Sequence, residues 1–138
     1  MKVLFSTSLA VALMSLAAAQ AAATQVFESQ HDAGCLAAVQ SADNSGQAVI
    51  CKLSAEDHLI DANRESGNSR CIDLAIAQVN LAVSAMAYQR EGLDADAIPT
   101  ANASRNLNAE ITNKCGDPAI LSGAARVMSN LDKVFGPP

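Results

Sequence analysis

The first residues of the chain have the pattern of a secretory signal peptide, and this pattern constrains how the rest can fold. A basic start, Met1–Lys2, precedes an apolar run over Val3–Ala19 that ends in small residues. We predict a signal peptide over residues 1–19, cleaved there or as late as Ala23, and a single helical domain over residues 24–138. The mature protein is then expected to be secreted into an oxidising extracellular space, where cysteines pair.

The composition predicts an all-α fold. Alanine is abundant, proline is scarce and clusters of β-branched residues are few, which together favour helices. Aromatic residues make up only 3% of the chain, so the core must be aliphatic. Aromatic platforms for stacking bases or sugars are therefore not expected.

Apolar spacing and capping residues predict five helices. The expected helices are Gln25–Ala42, Ala55–Ser66 with Ser54 as N-cap, Ser69–Gly92, Thr100–Cys115, and one that starts at Asp117–Pro118 and ends at Gly136. The stretches between them, Asp43–Gly46 and Leu93–Pro99, are predicted as a turn and a loop. The third helix is apolar around most of its circumference and is expected at the centre of an antiparallel bundle of four to five helices.

Four cysteines, Cys35, Cys51, Cys71 and Cys115, fall within the mature part. An even number in an exported chain predicts two disulfides, for which three pairings exist. The predicted second helix would hold Cys51 and Cys71 roughly 18 Å apart, whereas a disulfide needs Cα atoms within about 7 Å. Cys71 and Cys115 are expected at the same end of an antiparallel helix pair. We therefore predict the pairs Cys35–Cys51 and Cys71–Cys115.

The charge of the chain argues against nucleic acid as a partner. The net charge is −5 and becomes −6 once Lys2 leaves with the signal peptide. An acidic chain repels phosphate backbones and anionic lipid heads. We also expect no membrane span after signal removal, because no second run reaches the roughly 18 apolar residues that a span needs.

One group of side chains resembles acid–base machinery. On a helix, His58 and Asp61 are neighbours at a three-residue step, and a carboxylate can orient an imidazole as a general base. No nucleophile in an elbow motif accompanies them. Asp57, Asp61 and Glu65 equally form the acidic stripe of a solvated helix face. We predict that the chain is not an enzyme, has no catalytic residue and needs no cofactor or metal.

Three further features suggest binding or modification. Asp94 and Asp96 lie in a predicted loop but lack the remaining ligands of a calcium-binding EF-hand. Asn102 begins an Asn-Ala-Ser glycosylation sequon. Flexible aliphatic side chains could line a pocket for an apolar ligand, as an alternative to ordinary core packing. The candidate pocket residues are Met86, Val127, Met128 and Leu131.

These observations favour a small secreted protein that binds an extracellular partner through the polar faces of its second and fourth helices. In signal peptide, size and paired cysteines the chain resembles the small secreted effector or antigen proteins of filamentous fungi and related microbes. The alternative is a carrier of a small apolar ligand such as a fatty acid or sterol. A secreted hydrolase with a site around His58 is the third hypothesis.

Overall fold

A computed structural model of the protein describes residues 27–138 and contains five α-helices and no strand within them. The helices are α1 (Asp32–Gln40), α2 (Asn44–Ala62), α3 (Gly67–Arg90), α4 (Asp94–Lys114) and α5 (Pro118–Phe135). The predicted all-α bundle is therefore confirmed. The predicted signal peptide lies outside the described residues.

Helix α3 forms the centre of the bundle, as its all-round apolar sequence predicts. It packs against α2, α4 and α5, and α1 packs against α2. By length and mean hydropathy α3 could cross a membrane, but 89% of its apolar window is buried inside the bundle, as expected of a core helix. Gly92, with φ of 74°, ends α3 in a backbone conformation that favours glycine.

Both predicted disulfides are present. Cys35 in α1 bonds to Cys51 in α2 with Cα atoms 4.7 Å apart, and Cys71 in α3 bonds to Cys115 after α4 with Cα atoms 5.8 Å apart. The first pairing joins the middle of two helices, because Cys51 lies inside α2 rather than before it. The two bonds indicate that the chain folds in an oxidising environment.

The predicted start of the second helix is wrong. Helix α2 begins at Asn44, eleven residues before the predicted start at Ala55, and the expected turn over Asp43–Gly46 forms its cap and first turn. The side chain of Asp43 accepts a hydrogen bond from the backbone N–H of Gly46. A Cβ on Gly46 would meet the Asp43 carboxylate at 2.5 Å, so the close approach of this cap requires glycine. Ser54 lies fully buried within α2.

The predicted loop Leu93–Pro99 is also wrong, because α4 starts at Asp94 and includes Pro99. Proline removes one intrahelical hydrogen bond. Acidic side chains at Asp94 and Asp96 occupy the first turn, where the helix dipole favours them. The burial of Ala97 against the core further favours the longer helix.

The remaining helix ends follow local signals to different degrees. Helix α5 begins at Pro118 after the predicted N-cap Asp117, whose carboxylate accepts from the N–H of Ala119, and it ends before Gly136. Helix α3 starts at Gly67, two residues before the predicted Ser69. Helix α1 starts only at Asp32, because residues 27–31 form an irregular segment and a turn.

Candidate functional site

A buried histidine joins three helices at the middle of the molecule. His58 on α2 is fully buried, and its Nδ1 lies 2.7 Å from the Oδ1 of Asp73 on α3. Its Nε2 lies 2.9 Å and 3.0 Å from the two carboxylate oxygens of Asp32 on α1. The ring of Phe27 packs edge-on against the imidazole with centroids 5.4 Å apart. Both ring nitrogens therefore donate to carboxylates.

The two carboxylates keep His58 positively charged. Burial by itself lowers the pKa of His58, but the hydrogen bonds to Asp32 and Asp73 outweigh it and raise the pKa to about 9. Burial raises the pKa of Asp32, yet hydrogen bonds from His58 and Ser54 bring it below its usual value. At neutral pH the imidazolium lies between two carboxylates.

Two further groups donate hydrogen bonds to the carboxylate of Asp32. It accepts hydrogen bonds from the hydroxyl of Ser54 at 2.5 Å and from the backbone N–H of Ser29 at 2.9 Å. The amide of Asn80 on α3 donates to the Ser54 hydroxyl at 2.8 Å. We call the five side chains that connect α1, α2 and α3 in this way the His58 network. Its members are Asp32, Ser54, His58, Asp73 and Asn80.

A second, more exposed pair lies beside the network. His31 Nδ1 is 2.8 Å from Asp57 Oδ2, which also accepts from the Ser29 hydroxyl at 2.5 Å. These hydrogen bonds from Ser29 and His31 lower the pKa of Asp57. The pair fixes the irregular segment before α1 to the surface of α2.

The His58 network lacks the geometry of a hydrolytic triad. In a triad the imidazole lies between the nucleophile and the carboxylate and accepts the nucleophile's proton. Here the carboxylate of Asp32 lies between Ser54 and His58, so the hydroxyl donates to the carboxylate instead. A charged, doubly paired and buried imidazole also has no free nitrogen to act as a general base. The network suits a structural role.

The residues predicted as an acid–base group are divided among different partners. Asp57 binds His31, and His58 binds Asp32 and Asp73 rather than Asp61. Asp61 instead lies with Glu65 and Asp73, with one oxygen of each within 4.8 Å of the others. Burial, followed by hydrogen bonds with Asp61 and Asp73, raises the pKa of Glu65 to about 7. Among residues 27–138, these three carboxylates are the group that lies close enough together to hold a metal ion.

A surface groove runs between α4 and α5. It has a volume of about 630 Å³ and an apolar floor of Leu121, Ala125 and Met128 on α5. Asn108 and Thr112 on α4 form the opposite wall. The remaining lining residues on the rim are Ser129, Asp132 and Lys133.

The four predicted pocket residues separate into two environments. Met86, Val127 and Leu131 are buried together in one cluster of the core. Met128 is partly exposed and lines the groove. Only this methionine therefore reaches a surface where a ligand could contact it without a change in the core.

The remaining sequence candidates lie on α4. Asn102 is exposed within the helix, whereas Ser104 of the same sequon is fully buried and donates to the carbonyl of Gln78 at 2.8 Å. Asp94 and Asp96 are exposed in the first helical turn, so the predicted loop carbonyls that would complete a calcium site are part of a helix.

Sequence reasoning found His58 but missed both of its partners. Asp32 and Asp73 lie 26 and 15 residues away in the chain, so local spacing could not identify them. One signal was available, since Asp73 is an acidic residue flanked by the apolar residues Ile72 and Leu74 in a helix that is buried over most of its length. A buried charge requires a partner of opposite charge, and the chain has only two histidines.

Residues 27–138 form an all-α, disulfide-bonded bundle of five helices in which a buried acid–histidine network connects α1, α2 and α3. The chain matches no family model, no curated protein and no solved structure.

Proposed function

We propose that this protein is exported and acts by binding a short segment of an extracellular protein in the α4–α5 groove. The observation that carries this proposal is the groove itself. Leu121, Ala125 and Met128 follow one another at steps of four and three residues, so they line one face of α5. An apolar floor of this kind suits the spaced aliphatic side chains of an amphipathic segment.

The charges at the rim specify the partner further. Asp132 accepts a hydrogen bond from Arg105 at 3.1 Å, so its charge is already compensated. Lys133 is exposed and forms no ion pair within residues 27–138. The groove is therefore expected to prefer a segment that places an acidic residue beside its apolar side chains.

The scaffold supports a binding role outside the cell. The Cys71–Cys115 bond joins the start of α3 to the end of α4, which forms one wall of the groove. The His58 network braces the other side of α3. A preorganised groove loses less conformational entropy when it binds a partner. The signal-peptide pattern of the first residues supports export.

The test is selection of peptide binders from a displayed library with the purified, disulfide-bonded protein. Selected peptides should carry aliphatic residues at helical spacing next to Asp or Glu. Met128→Asp should weaken their binding at least tenfold, and Lys133→Glu should shift the preference towards basic peptides. Leu93→Asp alters an exposed residue outside the groove lining and is the control. Peptides that bind all four proteins equally would contradict the proposal.

A fatty acid is the second candidate occupant, because the apolar floor ends near Lys133, whose ammonium forms no ion pair within residues 27–138. The acyl chain would lie on the floor and its carboxylate would pair with the Lys133 ammonium. The groove volume falls within the range of about 300–1,000 Å³ typical of small-molecule sites. Val127 and Leu131 of the same helix are buried in the core, so this ligand would lie at the surface.

Thermal unfolding with hexadecanoic acid tests the carrier role. A ligand at about 100 times its Kd stabilises the folded state by about 2.7 kcal/mol, so the Tm should rise by several degrees. Lys133→Gln should reduce the rise. A Tm that does not change over the soluble range of the fatty acid would contradict this candidate while leaving peptide binding untouched.

A further inference from the structure

The outward side of α4 presents a row of exposed residues that carry no charge. At about 100° per residue, six exposed side chains fall within roughly 80° of one another on this helix. We call them the neutral face of α4. Its members are Ala95, Ile98, Asn102, Asn106, Ala109 and Asn113. Ile98 is 53% exposed, so the face includes one large apolar side chain in contact with solvent.

Asn102, near the middle of the neutral face, belongs to the glycosylation motif of the chain. Asn102, Ala103 and Ser104 form the one Asn-X-Ser/Thr sequence among all 138 residues. The exposed position of Asn102 leaves room for a glycan to extend into solvent. Asn108 and Thr112, the α4 residues of the groove, lie about 120° and 80° further around the helix. A glycan on Asn102 is therefore attached outside the groove.

The hydroxyl of the same motif is hidden in the folded protein. Ser104 is 0% exposed and donates to the carbonyl of Gln78 on α3 at 2.8 Å. The Cys71–Cys115 bond ties the end of α4 to the start of α3 and holds the two helices together. Because the motif requires this hydroxyl, a glycosylating enzyme has to reach it. The folded helix does not present it, so any modification must precede the packing of α4 on α3.

We propose that Asn102 carries an N-linked glycan, which is added during export before α4 packs against α3. The donor is a lipid-linked oligosaccharide diphosphate. The amide nitrogen Nδ2 of Asn102 bonds to the anomeric carbon of the first sugar, and the bond between that carbon and the diphosphate oxygen breaks. The amide loses one proton, and the lipid diphosphate is the leaving group. Nothing is oxidised or reduced in this step.

In the folded protein the glycan covers part of the neutral face. Long side chains on a helix lean towards its N-terminus, so a sugar on Asn102 lies over the preceding turn, where Ile98 is one turn away. A bulky, solubilising group at this place shields the exposed isoleucine from other molecules. This inference rests on the export in the proposed function, but it does not depend on peptide binding in the groove.

Translation of the full chain with rough microsomes tests the modification. The wild type should be protected from added protease inside the vesicles and should carry one glycan that peptide N-glycosidase removes. Asn102→Gln should be protected but lack the glycan. Asn106→Gln is the matched control, since it changes an exposed asparagine of the same face outside the motif, and it should keep the glycan. A protected wild type without a glycan overturns this inference and leaves export standing, whereas a chain that the protease degrades overturns both.

The order of folding and modification is tested with purified components. Protein that is already folded and disulfide-bonded, and made without a glycan, is incubated with oligosaccharyltransferase and the lipid-linked donor. The same protein, reduced and unfolded, should accept a glycan on Asn102 at least tenfold more. Equal modification of the two forms would overturn the proposed order. An unfolded chain that accepts no glycan would overturn the assignment of Asn102 as the acceptor.

Discussion

His58 and Asp73 form a buried pair in which the imidazole Nδ1 lies 2.7 Å from the carboxylate Oδ1, and their side chains are 0% and 2% exposed. A buried ion pair does not by itself stabilise a fold, because desolvation of both charges offsets their attraction. Removal of one partner is costly, since the other charge stays buried alone. The pair therefore disfavours any packing of α2 on α3 that would bury one of the two charges without the other.

Replacement of His58 should destabilise the protein strongly. We expect His58→Leu to lower the free energy of unfolding by about 3–5 kcal/mol, because the carboxylate of Asp73 would lose its cation. Urea denaturation measures the change. His31→Leu removes the partly exposed pair with Asp57 and should cost no more than about 1 kcal/mol. Similar losses of unfolding free energy in the two variants would show that burial of the ion pair does not determine how strongly its removal destabilises the protein.

Stability should decrease as the pH rises through neutrality. The pKa of Glu65 is raised to about 7, so the folded chain keeps a proton that the unfolded chain releases above pH 4.5. The pKa of His58 is raised to about 9, so its contribution is complete below pH 6.5 and is lost as the pH passes 9. Asp32 and Asp57, with lowered pKa values, stabilise the fold above pH 3.8 and lose this contribution in acid. The Tm should therefore be highest in weakly acidic solution.

Glu65→Gln isolates one part of that profile. The amide carries no charge beside Asp61 and Asp73, so the variant should have a higher Tm than the wild type at pH 8. At pH 4, where Glu65 is protonated in both states, the two Tm values should nearly coincide. Glu56→Gln, an exposed change on α2, is the control and should give no such pH-dependent difference. A parallel shift at both pH values would contradict the assignment.

The sequence predicted the start of a helix correctly where the capping residues that determine it lie next to that start in the chain. Asp117 and Pro118 fix the start of α5 because capping acts within a few residues. For α2, both Asp43 and Ser54 are capping residue types, and the sequence does not show which one caps the helix. Tertiary contacts decide, since Ser54 binds Asp32 and Asn80 across helices. The disulfides were predictable because helix length excludes one pairing.

The candidate site depends on contacts that sequence spacing does not encode. Met128 was predicted together with three residues that share its chemistry, yet it alone lies at the surface groove. Whether an aliphatic residue faces the core or a groove depends on how α4 and α5 are set against each other. The partners of His58 likewise come from α1 and α3, which meet at α2 only once the bundle has assembled.

The two disulfides should contribute unequally. In the chain-entropy model, stabilisation grows with loop length, and the sequence separations are 16 for Cys35–Cys51 and 44 for Cys71–Cys115. Replacement of both cysteines by alanine should therefore cost about 3 kcal/mol for the first bond and about 4 kcal/mol for the second. Calorimetry of the two double variants gives the comparison. A larger loss from the shorter loop would show that contacts between α1 and α2 outweigh the entropy of the unfolded chain.

Gln78 and Asn80 both carry buried amide side chains on α3. Their replacement by leucine should have opposite effects on the free energy of unfolding. Gln78 is 1% exposed, and neither its Nε2 nor its Oε1 has a hydrogen-bond partner within the described residues. Asn80 is 2% exposed, but its amide donates to Ser54 within the His58 network. A buried polar group without a partner costs about 1–3 kcal/mol. Gln78→Leu should therefore raise the free energy of unfolding by about 1–3 kcal/mol.

Asn80→Leu should instead lower the free energy of unfolding, because Ser54 would lose its donor and the leucine would add volume to a packed site. Urea denaturation of both variants at pH 6 separates the effects from the titration of His58. The Ser104 hydroxyl, which binds the Gln78 carbonyl, is unaffected by either change. If Gln78→Leu destabilises the protein as much as Asn80→Leu does, an ordered water must satisfy the Gln78 amide, and the two buried amides are then equivalent.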